Sequence, residues 1–249
     1  MARRPYVIGL TGNIACGKTL VLRELAALGA ETIDADEVAR TIVHPKSPVL
    51  AKIVEAFGPS ILLPDGSLDR RALGAIVFRD PIALRRLEEI THPVIVAEIR
   101  RRIAATERPV VVIDAIKLFE SSLARDCDEV WVVTCRPEQQ LTRLMSRNGL
   151  SQEEALVRIR AQPPQEEKIA RADRVIDNSG TIDETRRQVR ELWQEVLRKL
   201  GYPHPSSLAD RDVSPYTAGE RPDLTERRGD RDGTAETEPD AGGSPSTAP

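Results

Sequence analysis

Cysteine is scarce. The chain of 249 residues holds three thiols, Cys16, Cys127 and Cys135. Their spacing matches neither a disulfide framework nor a metal-binding pair. That excludes a disulfide-stapled scaffold and points to a reducing, cytoplasmic setting. Long hydrophobic runs are missing too, and no stretch approaches the roughly 20 apolar residues that a membrane-spanning helix needs. Arg3-Arg4 precedes an apolar stretch too short for a signal peptide, and that stretch leads straight into a glycine-rich loop. Neither sign of charge is in large excess. The formal net charge of −3 gives no reason to expect nonspecific binding to nucleic acid.

What remains is 40% hydrophobic and 30% charged, enough for one or two globular domains with ample core. The most informative stretch comes first. Tyr6 to Leu10 is a short apolar run, followed by Gly12-Asn13-Ile14-Ala15-Cys16-Gly17-Lys18-Thr19. This is the P-loop spacing, with a strand before it and a helix after it. Gly12 and Gly17 let the backbone turn tightly and aim its N–H groups at phosphate oxygens. The helix behind adds the positive end of its dipole. Lys18 suits the β- and γ-phosphates, and the Thr19 hydroxyl suits Mg²⁺.

Strand and helix patterns then alternate. Val21, Leu22, Leu25 and Leu28 recur at helical spacing up to Gly29. Further strands are expected at Thr32-Ile33, Val110–Ile113, Glu129–Thr134 and Arg174–Ile176. Helices are expected from Glu37 to Val43, over 48–57, and from Asp69 to Phe78. Another opens at Asp80-Pro81 and runs to about Thr106, kinked or broken at His92-Pro93. Pro137 opens a helix to about Arg147. Ser151-x-x-Glu154 and Thr181-x-x-Glu184 are capping-box signatures for two more. In the last, Ile182, Val189, Leu192, Val196 and Leu200 form an apolar stripe. Residues 203–249 are rich in Pro, Gly, Ser, Thr, Asp and Arg and read as a disordered tail.

Such alternation predicts an α/β fold, a doubly wound five-stranded parallel sheet. Ligands of such sheets lie at the carboxyl ends of the strands. Lys18/Thr19, Asp34/Asp36 and Asp114 should therefore meet in one crevice, with Asp177 and Asn178 at a further strand end. Asp34 and Asp36 have two readings, a carboxylate base facing the γ-phosphate or a turn with a helix cap. Arg136, Arg143, Arg147, Arg158 and Arg160 also have two, a lid closing over phosphates or a solvated helix face. Asn-Lys-x-Asp, with which GTPases read guanine, occurs nowhere, so a small P-loop kinase fits better.

These features resemble the dephospho-coenzyme A kinase family. The resemblance rests on Ile8-Gly-Leu-Thr-Gly-x-Ile-x-x-Gly-Lys-Thr19 and Ile33-Asp-Ala-Asp-x-x-Ala-Arg40. Leu118-Phe-Glu-Ser-x-Leu123, Arg158-Ile-x-x-Gln162 and Ala172-Asp-x-Val-Ile-Asp-Asn-Ser-Gly180 extend it over about residues 6–200. It implies transfer of phosphate from ATP, with Mg²⁺, to the ribose 3′-hydroxyl of dephospho-coenzyme A, the last step of coenzyme A biosynthesis. By resemblance, Asp36 is the base with Asp34 beside it, and Lys18 and Arg147 stabilise the transferring group. Arg143 joins the nucleotide site, while Arg40 and His92 line the acceptor site. The implied layout is a P-loop kinase domain over 5–202. Its core would be 5–36, 107–136 and 172–202, with acceptor-binding helices over 37–106 and a helical lid over 137–171. The expected partner is a small molecule, and the expected state is a monomer.

The sequence departs from the family's pattern at Asn13, where glycine is usual, and at Ile116 and Lys117, where proline and an apolar residue are usual. Asn13 tolerates left-handed backbone angles. Lys117 reads either as a phosphate partner or as a surface lysine. His92 also reads as a packed or capping residue. Cys16, at a helix N-terminus beside Lys18, reads either as a small loop residue or as a thiol of lowered pKa, open to alkylation. A different small-molecule kinase, or a nucleotide-binding module without turnover, stays open at this stage.

Overall fold

Strands that are apolar on both faces need cover on both sides, and parallel pairing with crossover helices provides it. The computed structural model describes residues 4–202, so the tail expected over 203–249 lies outside the described residues. In chain order the main elements begin with β1 (Tyr6–Thr11), α1 (Lys18–Ala27), β2 (Glu31–Asp34) and α2 (Ala35–Thr41). Three helices follow, α3 (Pro48–Phe57), α4 (Arg70–Val77) and α5 (Pro81–Ala105). Then come β3 (Val110–Asp114), β4 (Glu129–Thr134), α6 (Pro137–Asn148), α7 (Gln152–Arg160) and α8 (Gln165–Ile169). The last two are β5 (Arg174–Asp177) and α9 (Ile182–Lys199).

The five strands form one sheet in the order β2-β3-β1-β4-β5, and every pairing is parallel. The register sorts the side chains into two cores. Val7 pairs with Val111 and Ile8 with Val112. Ile8, Leu10, Val110 and Val112 pack with Trp131 and Ile176 beneath α1 and α9. Val7, Val111 and Ile113 face the other way, against Val38 of α2 and Ile99 and Ile103 of α5. A third cluster holds α3, α4 and the first half of α5 together through Leu50, Ile53, Ile61, Leu73 and Val77.

Three local expectations change. Helix α2 starts at Ala35 rather than Glu37, because Asp34 caps it by accepting from the backbone N–H of Asp36 and Glu37. Helix α5 is not broken at His92-Pro93. It runs through Pro93, with its two halves packed on different cores. In α9, Ile182 is exposed and Trp193 and Leu197 are buried instead, so the buried apolar stripe starts two turns later, at Val189. The short helix α8 carried no clear sequence signal.

Trp193 is 1% exposed and Ile182 is 57% exposed. Trp193→Ala should cost about 3–5 kcal/mol in urea unfolding. Ile182→Ala should stay within about 0.5 kcal/mol. Equal losses would contradict the orientation given to α9.

Candidate active site

The loop from β1 to α1 takes its shape from its two glycines. Gly12 and Gly17 have φ of 151° and 95°. A Cβ at Gly12 would strike the Val133 carbonyl oxygen, and one at Gly17 the Asn178 amide. No side chain caps α1 at Gly17. Its first N–H groups and the positive end of its dipole are left for an anion. Asn178, just beyond β5, steadies the loop. Its Nδ2 donates to the Cys16 carbonyl at 2.8 Å, and its Oδ1 accepts from Thr185 Oγ1 at 2.9 Å.

A cavity of about 500 Å³ opens over this loop. Asn13, Ala15, Gly17, Lys18 and Thr19 line one side, with Arg143 and Arg147 of α6 on the other. The spacing of four that suggested one helical face for the two arginines is therefore realised. Arg143 donates one N–H to the Asn178 carbonyl at 3.0 Å, and its other terminal nitrogen is buried with no hydrogen-bond partner among the described residues. A buried, unpaired guanidinium N–H beside helix donors suits a phosphate. Lys18 Nζ rests on the Gly12 carbonyl at 3.3 Å. Arg136, Arg158 and Arg160 do not line this cavity.

The acidic side follows from strand register. Asp114 lies opposite Asp34 of β2 and opposite Leu10 of β1. Burial raises the Asp114 pKa to about 6; Lys18 opposes this, while Asp34 and Asp36 add to it. Register therefore sets Asp34 and Asp114 side by side at the carboxyl ends of β2 and β3, and Lys18 and Asp36 lie close enough to Asp114 to be felt there. One Asp34 oxygen is committed to the α2 cap at 2.8 and 3.0 Å. The Asp36 side chain is exposed and bonds to nothing among the described residues. Arg40 is exposed one turn further along α2. His92 is not brought to the P-loop. It lines a separate cavity of about 300 Å³ on α5, with Arg85, Glu88 and Glu89.

The departures from the family's pattern have physical accounts. Asn13 does not use its tolerance of left-handed angles, since Ala15 takes the positive φ of 60°. Asn13 is buried, and its Nδ2 donates to the Pro163 carbonyl at 2.9 Å. Ile116 interacts through its carbonyl, which accepts from Thr11 Oγ1 at 3.1 Å and Lys168 Nζ at 2.9 Å. Proline has the same carbonyl, so the exchange keeps both bonds. Lys117 pairs with Glu88 of α5 at 2.7 Å.

The reactive reading of Cys16 is overturned. Its side chain is fully buried, and hydrogen bonding to Cys135 together with burial pushes the thiol pKa up despite Lys18. Lys168, which sequence reasoning passed over, is 4% exposed beside this crevice. Burial pushes its pKa down, Glu120 opposes that, and Lys18 adds to it.

Asp114 supports a pH prediction. Its folded pKa exceeds the ordinary carboxylate value of about 3.9. The folded state therefore holds the proton longer than the unfolded state, and stability falls as pH rises from about 4 to 6. Asp114→Asn removes that loss. It should raise the melting temperature at pH 7 and give no such gain near pH 4. A gain that did not change with pH would contradict the burial of this charge.

Comparison with known proteins agrees with the geometry. The family model described as dephospho-CoA kinase matches residues 6–184. The dephospho-CoA kinase of Symbiobacterium thermophilum is 45% identical over 237 residues, covering 90% of this chain and 99% of its own. That match runs past the span 6–200 that carries the motifs. The dephospho-CoA kinase of Geobacter sulfurreducens is 50% identical over 190 residues, covering 75% and 96%. Among solved structures, a Thermus thermophilus protein has a TM-score of 0.69 at 34% identity, covering 78% of this chain and 99% of that one. Dephospho-CoA kinase from Campylobacter jejuni has a TM-score of 0.54 at 28% identity, covering 78% and 98%. A family match over most of the described residues, joined to relatives covered almost end to end, places the chain: it belongs to the dephospho-CoA kinase family.

Proposed function

We propose that this protein transfers the γ-phosphoryl group of ATP to the ribose 3′-hydroxyl of dephospho-coenzyme A, releasing coenzyme A and ADP. The observation that carries this reading is the phosphate-shaped loop with its cavity lined by Lys18, Arg143 and Arg147, and the exposed Asp36 two residues beyond the Asp34 that register sets beside Asp114. Asp36 accepts the proton of the 3′-hydroxyl. The freed oxygen bonds to the γ-phosphorus as the bond to the β–γ bridging oxygen breaks. Lys18, the first N–H groups of α1, Arg143 and Arg147 hold the triphosphate and meet the charge on the transferring oxygens. Asp34 fixes the start of α2 and so orients Asp36.

The Thr19 hydroxyl and the buried, unpartnered Asp114 Oδ1 fit a Mg²⁺ site. Bound there, the ion would neutralise phosphate charge. The helices over 37–106 serve as the acceptor-binding part, with Arg40 and His92 on it. Their separate apolar core supports that division. Residues 137–171 serve as the lid, because α6 carries both cavity arginines.

The test is ADP release with ATP and Mg²⁺, comparing dephospho-coenzyme A with AMP, adenosine and no acceptor. Stimulation by dephospho-coenzyme A alone, with coenzyme A as product, is expected. Equal rates with all acceptors would reject the assignment. Asp36→Asn should lower kcat by about a hundredfold or more while ATP binding is kept. Near-normal turnover would remove Asp36 from its role as base.

A further inference from the structure

The tip of the phosphate loop is gripped from outside by residues with no place in the proposed chemistry. Ile14 is held at both ends of its backbone. Its N–H donates to Gln162 Oε1 at 2.8 Å, and its carbonyl accepts from Gln140 Nε2 at 2.9 Å. One residue earlier, Asn13 Nδ2 reaches the Pro163 carbonyl at 2.9 Å. The partners decide which amide atom takes part. A backbone N–H needs an acceptor and a backbone carbonyl needs a donor, so neither glutamine works with its amide reversed.

The two glutamines come from different places. Gln140 is buried on α6, one turn before Arg143. Gln162 lies in the turn after α7, where its own N–H bonds to the Ile159 carbonyl at 3.1 Å. The gripped stretch sits between Gly12 and the left-handed Ala15, and across it the Cys16 N–H donates to the Asn13 carbonyl at 3.2 Å. A flexible loop that must present several N–H groups to one ligand binds more tightly when its shape is fixed beforehand.

We propose that Gln140 and Gln162 are positioning residues of the nucleotide site, holding Ile14 from both ends and setting the loop tip against the helix that carries Arg143 and Arg147. The proposal deepens the ATP-dependent reading of this site and rests on it. It assigns the glutamines no contact with the reacting atoms.

The test measures ATP dissociation constants, melting temperature and amide hydrogen exchange at Ile14 in the full chain. Gln162→Met and Gln140→Met keep the side-chain length and remove the hydrogen bond. Each should weaken ATP binding about 10-fold, the scale of one well-placed hydrogen bond. Exchange at Ile14 should quicken in Gln162→Met, which frees the N–H, and much less in Gln140→Met, which frees the carbonyl. Gln162→Glu keeps an acceptor and should restore slow exchange, even where its charge weakens ATP binding. The double variant should bind ATP more tightly than the product of the single effects implies, because both bonds hold one residue.

ATP affinity within twofold of the parent in the folded single variants overturns the proposal. So does Ile14 exchange that Gln162→Met leaves unchanged. If Gln140→Met unfolds the chain, Gln162 decides alone. Neither readout needs an acceptor, so a failure to phosphorylate dephospho-coenzyme A would count against the proposed function and leave this test intact.

Discussion

Parallel pairing of β1 with β3 on one side and β4 on the other is the constraint on which the rest depends. With β2 parallel to β3 and β5 parallel to β4 as well, every strand runs the same way, so all five carboxyl ends meet at one edge. The residues with usable chemistry follow those ends directly. The phosphate loop follows β1, Asp34 ends β2, Asp114 ends β3 and Asn178 follows β5. None needs a long side chain to reach the crevice, because the backbone delivers each one. The three central strands, β1, β3 and β4, are buried almost throughout, which anchors the middle of that edge. That anchoring suits a site whose work is placement and charge more than covalent chemistry.

Much of this was legible in the sequence for physical reasons. A continuous apolar run such as Val110–Ile113 has few homes besides a strand covered on both faces. The P-loop spacing names a backbone shape as well as a ligand. Asp34 and Asp114 could be placed because they end strands, and register brings strand ends together; Asp36 follows two residues later in the first turn of α2. Arg143 and Arg147 could be paired by helical spacing alone.

The remainder lies in contacts between distant parts of the chain. Lys168 meets the Ile116 carbonyl across 52 residues, and Asn178 meets the Cys16 carbonyl across 162. No local pattern marks either pair. Cys16 shows how a local rule loses to packing. A helix start and a lysine nearby favour the thiolate, but burial against Cys135 outweighs both. At Asn13 the backbone takes no left-handed angle; the residue is held by its side chain, and Ala15 takes the unusual angle. His92 stayed ambiguous because a histidine before proline in a helical stretch reads as an acceptor-lining residue or as a packed or capping one.

Helix α5 belongs to two neighbourhoods at once. Leu84, Leu87 and Ile90 pack with α3 and α4, whereas Ile95, Val96, Ile99 and Ile103 pack on the sheet. Pro93 falls close to the changeover and withholds a backbone donor from the turn before it. The halves can therefore diverge separately in evolution. Substitutions at Leu84, Leu87 or Ile90 fall in a core that holds no strand of the sheet. The inner half packs with Val111 and Ile113 of β3, so its substitutions fall in the core of the sheet itself. A designer wishing to redirect this scaffold would vary residues before Pro93 and leave those after it alone.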